Sequence, residues 1–283
     1  MAILLALGSA LTYGAADFLG GLASKRTPVF QVTFLSQVIG SALFGVVVMI
    51  FESEDPTTAA FAWGAAAGIG GSTGVTFLYR GLSIGRMSVV APITAVEAAV
   101  VPVIAGLAFG ERPALIAFGG VVLALVAIAL VSSAPDPGHP DGVRTGLRSP
   151  GVVEALAAGI CFAAFFILLE RAGAGAGMWP LVGSRIASFV LLGAIVVATR
   201  TTLRPAPGTG SVIVGAGIAD VVANGLYLSS TRHGLLSLVA VLTSLYPAST
   251  VLLARVVLRE RMAVPQLVGL AVAAAGVALI ASG

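Results

Sequence analysis

Ten apolar runs, each close to twenty residues long, govern what this 283-residue chain can become. They occupy 2–24, 29–51, 60–79, 87–109, 114–133, 151–170, 179–199, 210–230, 236–258 and 263–282. A bilayer core of roughly 30 Å is crossed by about 20 apolar residues of helix. A barrel would instead show short alternating strands. Composition agrees: 58% of residues are hydrophobic, 10% are charged, and mean hydropathy is +1.07. Soluble domains carry about 25% charged residues, so too little polar side chain is present to cover a water-facing surface. The first run carries Asp17 and lacks a basic leader, which reads as a membrane span and not as a cleaved signal.

The same composition excludes several functions. A pI near 9.5 suggests nucleic acid, but net charge is only +3 and no Lys/Arg block exists. Cys161 is the single cysteine, and His139 and His233 lie far apart. No disulfide, metal site or cofactor is expected. Short polar hinges separate the runs, and Pro28, Pro113 and Pro180 stand near helix starts. The longest polar segment, "APDPGHPDGVRTGLRSP" at 134–150, reads as a linker between residues 1–133 and 151–283.

Those two stretches align without a gap at a shift of 149. "GRMSVVAPITAVEAAVVPVIAGLAFGERPALIAFGGV" from Gly85 lies over "GLLSLVAVLTSLYPASTVLLARVVLRERMAVPQLVGL" from Gly234. Gly85 and Gly234, Ser88 and Ser237, Thr94 and Thr243, Glu111 and Glu260, and Arg112 and Arg261 coincide. Polar coincidences at one shared offset inside greasy sequence point to an internal duplication. Five helices is an odd number, so the second copy enters the membrane upside down, and such repeats place a site near the midplane where they meet. The expected fold is an all-α membrane protein: ten transmembrane helices as two inverted five-helix repeats around a central cavity.

The segment "YRGLSIGRMSVVAPITAVEAAVVPVIAGLAFGERPALIAFGGVVLALVAIALV", with its second copy ending "RVVLRERMAVPQLVGLAVAAAGVALI", resembles the EamA-like domain of the drug/metabolite transporter superfamily. The resemblance covers nearly the whole chain. It implies a secondary transporter of ten helices with a cavity between the halves, in a family that carries amino acids, other metabolites or drugs. Two departures stand out. Arg259 occupies the place of Gly110, and Asp17 falls where family members usually have an uncharged residue.

Four ionisable residues lie well inside the runs: Asp17, Glu97, Arg185 and Asp220. A central Asp or Arg costs about 2.5–3.5 kcal/mol to insert, and such residues normally face a partner or a wet cavity. Each sits on a polar stripe at helical spacing. Ser9, Tyr13, Asp17 and Gly20 form one; Gly217, Asp220, Asn224, Tyr227 and Thr231 form another. Thr94 precedes Glu97 by one turn, Ser188 follows Arg185, and Glu97 corresponds to Tyr246, between Thr243 and Thr250. The expected substrate- or proton-binding set is therefore Glu97, Asp17, Asp220 and Arg185. Tyr13, Thr94, Asn224, Tyr227, Thr243 and Tyr246 are expected to line the cavity. Burial disfavours the charged carboxyl, which suits a proton-coupled carrier. In that reading Glu97 or Asp220 alternates between proton and substrate while Arg185 holds a substrate carboxylate or clamps an acid. Two plainer roles compete: an ion pair locking two helices, and a protonated acid bonded to a neighbouring helix.

Other features are structural in character. Gly64/Gly68 and Gly70/Gly74 are GxxxG spacings for close helix approach. Pro92, Pro102 and Pro247 interrupt runs four and nine, where kinks are expected. Trp63 and Trp179 sit near run ends as interface anchors, and Glu154 and Arg255 lie close enough to run ends to snorkel.

Loops on the N-terminal side hold Arg112, Arg171 and Arg232. The opposite side holds Lys25, Arg26, Arg80, Arg86, Arg144, Arg148, Arg200, Arg204, Arg259 and Arg261. The positive-inside rule makes that second side cytoplasmic, whereas the family resemblance implies cytoplasmic termini.

No GxxxxGK[ST] occurs, so a P-loop does not power the chain. Neither histidine lies deep in a run, which argues against an intramembrane enzyme. A channel or a lipid-flippase-type carrier subunit is the alternative, and duplicated inverted halves favour alternating access over it. Expected partners are a small-molecule substrate and the bilayer, with the chain acting as monomer or homodimer in the plasma (cell inner) membrane. One cavity arginine against three acids suits amino acids, amines or cationic drugs better than sugar nucleotides.

Overall fold

The computed structural model describes residues 1–51, 55–84, 87–132, 151–258 and 264–282. Its elements are α1 (Ala2–Ser24), α2 (Val29–Phe51), α3 (Thr58–Ile84), α4 (Met87–Ala108), α5 (Leu115–Ser132), α6 (Val152–Arg171), α7 (Trp179–Ala198), α8 (Gly210–Thr231), α9 (Leu236–Thr243), α10 (Tyr246–Leu258) and α11 (Val264–Ser282). One 3-10 turn, Ala174–Ala176, precedes α7. The expected linker 134–150 lies outside the described residues, as do Gly85, Arg86, Arg259, Glu260 and Arg261.

Among the described residues, α1, α2, α6, α7 and α8 are long and apolar enough to cross a membrane. Ile93–Ala108, Leu115–Leu130, Leu236–Thr250 and Leu267–Ser282 are shorter apolar helices. The outward faces carry Leu4, Met49, Leu115, Val190, Val197 and Val256, while many of the most buried positions are Ala, Gly or Ser. Large apolar groups outside and small ones at the helix contacts are the arrangement lipid selects. This is an integral membrane protein.

Two expectations about length need correction. The third run continues past residue 79, because "YRGLSI" keeps the helix going to Ile84. The ninth run is two helices, not one. Pro247 has no N–H, so the carbonyl of Thr243 loses its usual i+4 donor. Leu245 and Ala248 turn instead to the carbonyls three residues back, Leu242 at 3.3 Å and Leu245 at 2.9 Å. Helix α4 runs unbroken through Pro92 and Pro102.

Packing follows the repeat. A shift of 149 turns the α1–α8 pair into α6–α3, the α2–α8 pair into α7–α3, and the α4–α6 pair into α1 with α9 and α10; all of these pack together. The pairs α5–α11, α2–α7 and α4–α9 map onto themselves, and each is a contact as well. Registers give the directions. Helices α1 and α8 are antiparallel, with Ser230 bonded to the Ala2 carbonyl at 3.0 Å and Ser9 to the Ala223 carbonyl at 2.8 Å. Helices α3 and α7 are parallel, with Gly64 beside Pro180 and Gly68 beside Ser184.

Glycine makes these approaches possible. A Cβ on Gly64 would overlap the Pro180 carbonyl, and one on Gly68 the Ser184 carbonyl. Gly70 and Gly74 face α6 instead, against Cys161, Phe162 and Phe165. The two GxxxG spacings thus seat α3 between α6 and α7.

Candidate functional site

Helices α1, α2, α3, α6, α7 and α8 converge on a small interior cavity that is partly open to the outside. Both halves build its wall, and they do so in register. Tyr13 and Phe162, Ala16 and Phe165, Asp17 and Phe166, Ser36 and Arg185, Gly71 and Asp220, and Val75 and Asn224 all line it, each pair 149 residues apart. Tyr246 of α10 reaches in from the side.

Arg185 organises the polar part. Its Nη1 donates to Asp220 Oδ2 at 2.7 Å and to Gln37 Oε1 at 2.5 Å. Asn224, one turn beyond Asp220, donates from Nδ2 to Asp220 Oδ1 at 3.1 Å and to the Asp220 carbonyl at 2.6 Å. Tyr13 donates from its hydroxyl to Asn224 Oδ1 at 2.8 Å. One connected chain therefore ties α2, α7, α8 and α1 across both halves. The ion pair is largely buried, with side-chain exposures of 8% for Arg185 and 22% for Asp220, so each charge depends on the other for compensation.

Asp17 lies one turn along α1 from Tyr13 and lines the same cavity. Among the described residues it has no hydrogen bond or ion pair. It lies within electrostatic range of Asp220, Tyr79 and Tyr246. With Arg185 offset by Asp220, the cavity's described side chains carry one negative charge in excess when both acids are ionised.

The expected site residues thus divide into two groups. Asp17, Asp220, Arg185, Tyr13, Asn224 and Tyr246 meet at the cavity. Glu97, Thr94, Tyr227 and Thr243 are not among the residues that line it. Helix α4 packs its polar stripe on α6: Thr94, fully buried, donates to the Ala155 carbonyl at 3.2 Å. Glu97 lies over Gly159, where an added Cβ would meet its carboxylate, and one of its carboxylate oxygens is buried without a hydrogen-bond partner among the described residues. Tyr227 is wedged behind Phe166 with ring centroids 4.5 Å apart, its hydroxyl on the Phe166 carbonyl at 3.2 Å. Thr243 is fully buried at the end of α9, beside the break.

Sequence reasoning missed the aromatic wall and Gln37. The signal for Phe162, Phe165 and Phe166 was their position 149 residues from Tyr13, Ala16 and Asp17. Gln37 is an uncharged polar residue amid apolar sequence, a weaker signal than an ionisable one.

Glu111 gains a specific role. Its carboxylate crosses to the second half and accepts the backbone N–H groups of Leu236 at 2.6 Å and Ser237 at 3.0 Å, capping α9. Anionic oxygen at a helix N-terminus satisfies donors that have no partner within the helix. Gly106 makes the room, since a Cβ there would overlap the carboxylate. At the same end of the bundle Arg232 donates to the Gly177 carbonyl, and the Arg171 guanidinium sits 3.7 Å from the Phe109 ring centroid. Near the other end, Glu154 pairs with Arg80 at 3.5 Å.

Known proteins bear on this geometry. A solved structure described only as "Crystal structure of protein" shares the fold at a TM-score of 0.76 and 17% identity, over 98% of this chain and 95% of that chain. No curated protein matches. The model of the EamA-like transporter family matches twice, over residues 1–133 and 149–282. With both copies accounted for, the chain belongs to the EamA-like transporter family, within the drug/metabolite transporter superfamily.

Proposed function

We propose that this protein is a secondary transporter that moves small metabolites such as amino acids, amines or drugs by alternating access, as a proton-coupled exporter of the plasma membrane. In this reading ten helices cross the bilayer as two inverted halves, residues 1–133 and 151–283. The cavity between them is exposed to each side in turn. One observation carries the proposal: both halves converge on an interior cavity where a connected polar chain has one carboxylate, Asp17, left over.

That carboxylate takes the coupling role the sequence offered to Glu97 or Asp220. Asp220 is occupied by Arg185 and Asn224, and Glu97 lies outside the cavity. An intramembrane acid without a partner binds either a proton or a cationic substrate, and one group serving both in turn couples their movements. The Arg185–Asp220 pair holds α7 to α8 and gives the cavity its shape.

The test is substrate-driven proton flux in proteoliposomes holding purified protein, across amino acids, amines, nucleosides and sugars. Wild type should move protons with one substrate class; Asp17→Asn should not, and Glu97→Gln should. Proton flux preserved in Asp17→Asn would remove Asp17 from the mechanism. Substrate movement without protons would make the protein a uniporter or exchanger.

A further inference from the structure

The repeat makes the two sides of the cavity comparable position by position, and they differ in chemistry. On the wall formed by α1 and α8 stand Asp17, Asp220 and Asn224. Their counterparts on the wall formed by α6 and α3 are Phe166, Gly71 and Val75. Phe162 and Phe165 extend that second wall. An aromatic patch on α6 thus stands across from an anionic, hydrogen-bonding face, with Ser72 and Tyr79 of α3 as the polar groups beside it. Tyr13 joins them, edge-on to Phe166 with centroids 6.3 Å apart.

Resting on the transporter reading above, we infer that the substrate is an arylalkyl amine: a cationic head without a carboxylate, on an aromatic body. The head is set by charge. Asp17 has no partner among the described residues, whereas the cavity's arginine is already matched by Asp220 and Gln37. A substrate carboxylate would have to displace Asp220 and leave that acid uncompensated. The body is set by the phenylalanines, which offer ring faces and edges and no donor or acceptor. Ring faces near an ammonium add cation–π attraction. Tyr246 lines the same cavity; it is 5% exposed, and its buried hydroxyl has no hydrogen-bond partner among the described residues. A small polar amine would leave the aromatic wall unused. An amino acid would bring a second charge that the site does not receive.

The experiment compares phenethylamine, phenylalanine and ethylamine as substrates of wild-type protein in proteoliposomes, beside the wider panel. Phenethylamine should exceed each of the others in kcat/KM by roughly tenfold or more, since one unmatched group changes selection by that order. Asp17→Asn should lose phenethylamine transport, and Phe162→Leu should narrow its lead over ethylamine. Equal or better use of phenylalanine overturns the absence of a carboxylate, and equal use of ethylamine overturns the aromatic body. Saturable transport of some other panel compound with none of these three overturns the inference while the transporter reading stands. A monodisperse protein that moves nothing in the panel overturns both.

Discussion

Asp17 and Glu97 are both carboxylates in apolar helices, and their surroundings separate their roles. Asp17 faces a cavity with tyrosines, an amide and an ion pair around it, while Glu97 lies against the backbone of α6 at Gly159. Glu97→Gln should therefore leave substrate flux near the wild-type rate. It should not lower thermal stability by more than about 1 kcal/mol, because the buried Oε2 of Glu97 has no hydrogen-bond partner among the described residues to lose. Flux and melting temperature on the same preparation check this. Arg185→Met should behave differently, stranding the largely buried Asp220 and costing about 3 kcal/mol. The double variant Arg185→Met with Asp220→Leu should recover much of that loss in a thermal-shift cycle. The polar stripes on α1 and α8 were legible because Tyr13, Asp17, Asp220 and Asn224 recur at helical spacing in otherwise apolar sequence. The placement of Glu97 was not legible, since spacing defines a face but not which neighbour that face meets. Thr94 shares that face, and its bond to Ala155 decides the matter only in three dimensions.

At the level of elements, helix positions were readable because lipid requires long apolar runs, and hinges such as "SKRTP" and "GERP" stop them. Pro247 was harder. A membrane proline either bends a helix or begins a new one, and here it occupies the first turn of α10 after a break. Glu111 illustrates a further limit: its repetition as Glu260 marked it as part of a motif, yet only the packing reveals a cap on a helix of the other half. Glu111→Ala should remove two charge-assisted bonds and cost about 1–2 kcal/mol. A cysteine at Ser237 in a Cys161→Ser background should label faster with a membrane-impermeant maleimide once Glu111, which accepts the Ser237 N–H, is replaced. Unchanged labelling would confine the cap to stability. Gly68→Leu tests the α3–α7 seam; overpacking typically costs about 1–3 kcal/mol, and the contact there is backbone, which cannot move aside as a side chain would.

Across the whole molecule, the duplication governs both architecture and chemistry. The same offset of 149 that aligns two stretches of sequence pairs helices in space and pairs residues on the cavity wall. Equivalent backbone positions give the two halves matching packing, while unlike side chains make the two sides of the cavity chemically different. Among the described residues Lys25, Arg26, Arg80, Arg200 and Arg204 lie near the end opposite the N-terminus, which the positive-inside rule assigns to the cytoplasm, whereas the family resemblance implies cytoplasmic termini. Impermeant labelling of single cysteines in intact cells reports which end that is.

Counterflow tests the account most directly. Proteoliposomes loaded with a saturating unlabelled substrate from the panel should accumulate its trace-labelled form transiently above equilibrium, as a carrier exposing one cavity alternately to each side requires. Asp17→Asn should show no such overshoot. Fast, unsaturable equilibration without overshoot in the wild type would mean a continuous pore, and would contradict alternating access through this cavity.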